Sequence, residues 1–141
     1  MNVNPYVFYD GDCAEAFTFY SQCLGLPVEA MMRYGDTPGG SPVEASWDDK
    51  IMHACINIGE SMLMASDAPP GNYHPPQGIS VALQVDSVAE AESAYTKLSA
   101  GGEIHMPLEK TFWAERFGLF TDKFGIKWMV NCDPLDQGAS S

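Results

Sequence analysis

The chain has 141 residues, of which 45% are hydrophobic, and its 19 acidic and 7 basic residues give a formal net charge of −12. This length is typical of one domain, and this share of apolar sequence is enough to bury a core. An acidic surface repels phosphate backbones and anionic lipid, so we expect no nucleic-acid partner and no membrane partner.

Cellular location is indicated by the cysteines and by the start of the chain. Cysteines at positions 13, 23, 55 and 132 form no C-x-x-C pair, which favours buried, reduced thiols over a zinc or redox motif. The first residues lack the basic and apolar regions of a signal peptide, and no apolar run reaches the roughly 20 residues of a membrane helix. We therefore predict a cytoplasmic protein.

The first half of the chain predicts a strand, a helix and three strands. The first strand covers residues 5–9, and the helix starts at Asp12, three positions before Glu15, in the spacing of a capping box. Gly25 ends this helix, since glycine favours the left-handed cap. Strands at 26–34, 50–58 and 61–66 follow, with a loop rich in Gly, Pro and Ser at 35–49. Four prolines within 67–76 predict a defined hinge.

The second half repeats the order of the first. A strand at 79–85 precedes a helix capped by Ser87 and Glu90, and the pair Gly101-Gly102 ends that helix. Strands at 103–110, 116–122 and 126–132 complete this half, and the tail at 137–141 is predicted to be disordered.

Two sequence matches indicate an internal duplication. The string DCAEA, followed by Tyr20, recurs 75 residues later as SVAEA, followed by Tyr95. GESMLMASD at 59–67 resembles GIKWMVNCD at 125–133, with an offset of 66. Extra residues in the loop at 35–49 account for the difference between the offsets, so we predict two halves of βαβββ type.

Several strings resemble one family. They are PY at 5–6, DG at 10–11, RYGD at 33–36, KIMHA at 50–54, SDAPPG at 66–71, TFWAERFG at 111–118 and WMVNC at 128–132. Together with the duplication they resemble the PhnB-like branch of the vicinal-oxygen-chelate superfamily, which includes glyoxalase I, bleomycin-resistance proteins and extradiol dioxygenases. The resemblance covers residues 3–133.

The resemblance implies an α+β fold in which two βαβββ modules, at about 3–67 and 78–133, form a curved eight-stranded mixed sheet around a cavity. The modules would make a single domain over residues 1–136, commonly paired in a homodimer. It implies no single reaction, because one fold hosts many functions.

Metal enzymes of the superfamily take their ligands from the first and last strands of each module. Landmarks at the helices and final glycines place Pro5, Met64, Ser80 and Met129 at those positions. Thioethers suit copper(I) rather than hard divalent ions, and proline offers no side-chain donor. The three histidines lack the close spacing of metal ligands. We therefore predict no metal site and no cofactor.

Candidate ligand-binding residues come from strand alternation and from the densest polar string. If the landmark positions Met64 and Met129 face the cavity, alternation places Gln84 with Ser80, and Val7 and Tyr9 with Pro5, on the cavity side. A further group offers polar or aromatic contacts. Arg33 could clamp an anion or form an ion pair, and His53 could carry a proton. Trp113 could cap the mouth of the cavity. Glu115 and Arg116 could act as base and anion clamp, or they could form a surface ion pair.

Three functions agree with this pattern. The leading hypothesis is a protein that binds a small organic molecule in the cavity between the modules without the metal of the superfamily, as a binder or as an enzyme. The alternative is a metal-dependent lyase, isomerase or dioxygenase. A structural or regulatory partner protein is the third. The sequence assigns no catalytic residue.

Overall fold

A computed structural model describes residues 1–40 and 43–134, and its elements follow the predicted order closely. The first half contains β1 (Tyr6–Tyr9), α1 (Cys13–Leu24), β2 (Val28–Arg33), β3 (Ile51–Ile58) and β4 (Ser61–Asp67). The second half contains β5 (Val81–Val85), α2 (Val88–Ser99), β6 (Glu103–Glu109), β7 (Arg116–Thr121) and β8 (Lys127–Cys132). The loop after β2 holds two 3-10 turns, Tyr34–Asp36 and Ala45–Trp47. The predicted disordered tail at 137–141 lies outside the described residues.

The eight strands are hydrogen-bonded as two mixed sheets of four. The first sheet has the order β1-β4-β3-β2 and the second β5-β8-β7-β6. In each sheet the first strand runs parallel to the last strand of the same half, and the other neighbours are antiparallel. The chain divides into two compact units, Met1–Pro75 and a second that starts at Pro76. The α+β class and the two βαβββ modules are therefore confirmed.

Each helix packs on one face of the sheet in its own unit. In α1 the buried side chains include Cys13, Phe17 and Tyr20, which recur at helical spacing. The hydroxyls of Tyr9 and Tyr20 lie 2.8 Å apart and hydrogen-bond between β1 and α1. We call the sheet face opposite the helix the open face. No helix in the described part of the chain is long and apolar enough to cross a bilayer.

The two helices begin differently, and one of the two predicted capping boxes is wrong. At α2 the Glu90 N–H donates to the Ser87 hydroxyl at 3.1 Å, as predicted. At α1 the Asp12 side chain makes no capping hydrogen bond. Asp67 takes over this role, since its Oδ1 accepts the N–H groups of Gly11 at 3.0 Å and Cys13 at 2.9 Å.

Asp67 also corrects the predicted hinge, whose first residue it was. It is the last residue of β4 and only 1% exposed. Its Oδ2 accepts the Ile51 N–H at 2.8 Å, and its backbone oxygen accepts the Tyr34 hydroxyl at 2.7 Å. Burial, together with the charge of Asp67, raises the pKa of Tyr34. One carboxylate therefore ties β4 to the start of α1 and to the start of β3.

Candidate functional site: the open faces of the two sheets

The open face of the first sheet is rich in aromatic and thioether side chains. Strand register places Tyr6 beside Met64 and Phe8 beside Ser66, while Met32 stands opposite His53. Tyr6 is 40% exposed, Phe8 51% and Met32 45%. In the neighbouring positions of β4, Leu63 and Ala65 are buried on the helix side. This alternation confirms that Met64 lies on the face away from the helix.

The first strand was predicted one residue out of position. The sequence predicts Pro5, Val7 and Tyr9 on the cavity side, but Tyr9 is 1% exposed and bonds to α1. Tyr6 and Phe8 occupy the open face instead. The pairing of β1 with β4 comes from a parallel register across more than fifty residues of sequence, and counting back from the start of a helix does not recover it.

A tyrosine and a histidine form the polar centre of this face. The Tyr6 hydroxyl lies 3.5 Å from Nδ1 of His53, and the two rings are 5.9 Å apart. The Phe8 ring lies 5.1 Å from the Tyr6 ring. An imidazole and a phenol in contact can exchange a proton with a molecule bound on the face. His53, predicted as a proton carrier, therefore lies among the open-face residues.

The thiol of Cys55 also belongs to this face, because Cys55 pairs with Met64. Burial, followed by the charge of Glu29, raises the pKa of Cys55. The thiolate is the nucleophilic form of cysteine, so a raised pKa disfavours covalent chemistry at this residue.

Arg33 lies apart from the other candidates of the first unit. It pairs with the fully buried Ile51, and a bulge separates this pair from Met32 and His53. Its N–H donates to Oδ2 of Asp36 at 3.1 Å. In the described part of the chain its guanidinium forms none of the recorded ion pairs. The structure therefore does not bring Arg33 onto the open face.

The open face of the second sheet carries amides where the first carries aromatic rings. Ala82 pairs with Met129, and Gln84 pairs with Asn131. The Asn131 amide donates to Oε1 of Gln84 at 2.8 Å. Trp128 and Val130 are buried on the helix side, which confirms Met129 on the open face.

Met129 of the second sheet corresponds to Met64 of the first. Each pairs with the first strand of its own unit, Met64 with Tyr6 and Met129 with Ala82. In the final strands the true repeat is thus one residue shorter than the glycine match suggested. Val130, the residue that the glycine match aligns with Met64, is buried on the helix side, so it is not the open-face counterpart of Met64.

Trp113 lies in the loop between β6 and β7 and connects with the open face of the second sheet. Its ring is 5.3 Å from the ring of Phe117 and 4.8 Å from the ring of Phe112. Phe117 pairs with Asn131, which places Phe117 on the open face. Trp113 is 47% exposed. Its predicted role as a cap stays a prediction.

Glu115 and Arg116 form an ion-pair cluster, one of the two roles that we considered for them. Oε2 of Glu115 lies 3.6 Å from the Lys110 ammonium and 3.8 Å from the Arg116 guanidinium. Arg116 also reaches Glu92 of α2 at 3.9 Å and pairs with the buried Cys132. Arg116 therefore lies on the helix side of the sheet, away from Gln84 and Met129.

The side chains at the family's ligand positions do not fit a divalent metal. Tyr6 lies beside Met64 on the first sheet, and Met129 lies beside Ala82 on the second, with the predicted Ser80 immediately before β5, so the side-chain donors are a phenol, a hydroxyl and two thioethers. Hard divalent ions prefer carboxylate, imidazole and carbonyl donors. Over residues 1–40 and 43–134, no three His, Cys, Asp or Glu side chains form a group that could hold a metal.

Comparison with known proteins places this geometry in a family. Residues 2–130 match the model of the Glyoxalase/Bleomycin resistance protein/Dioxygenase superfamily. Protein YjdN of Escherichia coli K12 is 33% identical over 139 residues, which cover 93% of this chain and 95% of YjdN.

Two solved structures are similar in fold to this chain. The crystal structure of protein PA1353 from Pseudomonas aeruginosa is 48% identical, with a TM-score of 0.86, and the match covers 94% of this chain and 98% of PA1353. The PhnB protein of Bacillus cereus shares the fold, with a TM-score of 0.75 at 21% identity over 94% of this chain and 99% of its own.

Proposed function

The chain belongs to the Glyoxalase/Bleomycin resistance protein/Dioxygenase superfamily, and we propose that it binds a small organic molecule through the open faces of its sheets without a divalent metal. The predicted cavity between the modules stays a prediction. The observation that carries the proposal is the exposed aromatic and thioether surface of the first sheet, formed by Tyr6, Phe8, Met32 and Met64.

Physical chemistry favours ligand binding on such a surface. Aromatic rings and methionines that stay exposed have a favourable free energy of transfer from water onto a ligand, and methionine adapts its shape to irregular molecules. The polar centre of the face is formed by the Tyr6 hydroxyl and the His53 imidazole. The Ser66 hydroxyl, beside Phe8, is nearly buried. Apolar walls with a few convergent polar groups are typical of small-molecule sites.

The donor chemistry supports binding without a metal. Where metal enzymes of the family need carboxylates or imidazoles, this chain offers Tyr6, Met64, Ser80 and Met129. A ligand would be held by apolar contact and by hydrogen bonds rather than through a metal-bound oxygen.

The proposal is tested with a neutral apolar probe, N-phenyl-1-naphthylamine, whose fluorescence rises when it leaves water. Phe8→Ser should weaken its binding about tenfold, the effect of removing one half-buried ring from the contact. Phe112→Ser is the matched control, because Phe112 is 94% exposed and lies in a loop outside the first unit. We expect it to change the affinity less than about twofold. No binding to the unmodified protein, or equal effects of both substitutions, would contradict the proposal.

A second set of measurements tests whether binding is independent of a divalent metal. Protein purified without chelator is analysed for nickel, zinc, iron and manganese, and the probe titration is then repeated after treatment with EDTA. We expect the same affinity before and after EDTA. One equivalent of bound metal whose removal abolishes binding would overturn the metal-free mechanism.

Two further properties belong to the proposal. Cytoplasmic location is supported by the four cysteines, all free thiols.

A homodimer is supported by the exposed Ile104 and Met106 on β6, an edge strand of the second sheet. Light scattering at micromolar concentration tests the dimer, and a monomer mass would contradict it.

A further inference from the structure

A row of polar side chains crosses the open face of the second sheet. Ser80 immediately precedes β5, Lys127 begins β8, and Thr121 of β7 pairs with Lys127. Nε2 of His105, on β6, lies 2.7 Å from the Thr121 hydroxyl. A hydroxyl, an ammonium, a second hydroxyl and an imidazole thus follow one another across the four strands of the sheet.

This polar row borders a depression of about 300 Å³. Its lining consists of Ser80, His105, Leu119, Phe120, Lys127 and Trp128. Leu119 pairs with Met129, so the side chains next to the row on the open face are apolar. The depression therefore offers a polar end and an apolar end to one small molecule.

Lys127 brings a positive charge to the depression, whereas the protein as a whole carries a negative net charge. Lys127 is one of 7 basic residues against 19 acidic ones, and it forms none of the ion pairs recorded within residues 1–40 and 43–134. An acid also lies beside the row, since Oε2 of Glu103 is 3.9 Å from Nδ1 of His105. Glu103 and Thr121 contact opposite nitrogens of the ring and hold the imidazole in place. The ammonium remains available to a ligand.

From this arrangement we infer that the polar row of Ser80, Lys127, Thr121 and His105 binds the carboxylate or phosphate group of the ligand, whose apolar body lies along Leu119 and Met129. The Lys127 ammonium and the Ser80 hydroxyl can donate to an anionic oxygen, and the Thr121 hydroxyl can do so where the Nε2–H of His105 donates to it. Hydrogen bonds to a charged group are the stronger kind. The inference rests on the proposed function, because it specifies the charge of the small molecule that the chain binds.

Three probes with the same naphthyl body test the inference. Naphthalene-1-acetate carries a carboxylate, 1-naphthyl phosphate a phosphate, and naphthalene-1-acetamide a neutral amide. Affinities are measured by calorimetry for the unmodified protein and for Lys127→Met. Lys97→Met is the matched control, because Lys97 is an exposed lysine in the last turn of α2 and does not line the depression.

We expect at least one anionic probe to bind about tenfold more tightly than the amide. Lys127→Met should remove that advantage and leave the affinity for the amide unchanged, whereas Lys97→Met should preserve the advantage. The better of the two anions identifies the headgroup. Salt should weaken the binding of the anion more than that of the amide, since it screens an exposed charge.

The outcomes separate the two proposals. If all three probes bind equally and Lys127→Met has no effect, the anion site is wrong while small-molecule binding stands. If an anion binds but both lysine substitutions weaken it equally, general electrostatics explains the result and the polar row is wrong. If no probe binds, the anion site is wrong, and the titration with N-phenyl-1-naphthylamine decides separately whether small-molecule binding stands.

Discussion

The two modules repeat one architecture but secure the start of the helix by different means. In the first module Tyr9 pairs with Asp67, whose carboxylate accepts the N–H groups at the start of α1. At the matching place in the second module Val85 pairs with Cys132, which has no carboxylate. There Ser87 supplies a local cap. A duplicated fold can therefore exchange a long-range anchor for a local one without a change of topology.

Loss of the Asp67 anchor and loss of the Ser87 cap should lower the stability of their modules to different extents. Within the described residues, the side-chain hydrogen bonds of Ser87 and Glu90 stay at their own helix start. Asp67 accepts N–H groups from the turn before α1 and from β3, and its buried position excludes water as a substitute partner. Loss of the local cap should affect one helix end, while loss of the long-range anchor should affect the whole first unit.

The largest expected effect is therefore that of Asp67→Asn. The amide keeps the size of the side chain but turns one acceptor into a donor, which faces a backbone N–H. A charged acceptor lost in a buried place should cost about 3 kcal/mol of unfolding free energy. Urea denaturation measures the cost. Hydrogen exchange should show faster exchange at the amides of Cys13 and Ile51, with α2 as the internal control. A cost below about 1 kcal/mol, or equal loss of protection in α2, would contradict the long-range role.

The same contrast explains how much of the fold was predictable. The order of strands along the chain, both helices and the Ser87 cap depend on residues close in sequence, and these predictions are confirmed. Asp67 was assigned to the hinge because its partners at Gly11 and Cys13 lie more than fifty residues away. Local propensity contains no information about such a pairing.

The candidate site divides in the same way. The prediction of Met64 and Met129 used the glycines that precede their own strands, landmarks close in sequence, and both residues lie on the open faces. Tyr6 and Phe8 were missed because their place depends on the register between β1 and β4. The adjacency of Glu115 and Arg116 suggested a base and a clamp or an ion pair, and only the positions of Lys110 and Glu92 distinguish these roles.

A smaller effect is expected for Ser87→Ala, which removes the local cap of α2. Loss of a serine cap typically costs about 1 kcal/mol, because one N–H of the first turn loses its acceptor. Ser93→Ala is the matched control, since Ser93 is an exposed position inside the same helix. It should be neutral or stabilising by up to about 0.5 kcal/mol. Equal changes for the two serines in urea denaturation would mean that the cap contributes nothing.

The smallest effect is expected for Asp12→Asn, at the helix start that Asp67 secures. The Asp12 side chain makes no capping bond, and its pKa is raised, first by burial and then by the charges of Asp67, Glu15 and Asp10. A raised pKa means that the charged form destabilises the folded state near neutral pH. That cost disappears as the pH falls through the folded pKa and below the unfolded value of 3.8.

Removal of the charge should therefore leave stability equal or raise it by no more than about 0.5 kcal/mol near pH 7, with no difference at acid pH. A loss of about 1 kcal/mol, the size seen for a lost cap, would show that Asp12 does cap α1 and that the two helix starts are alike.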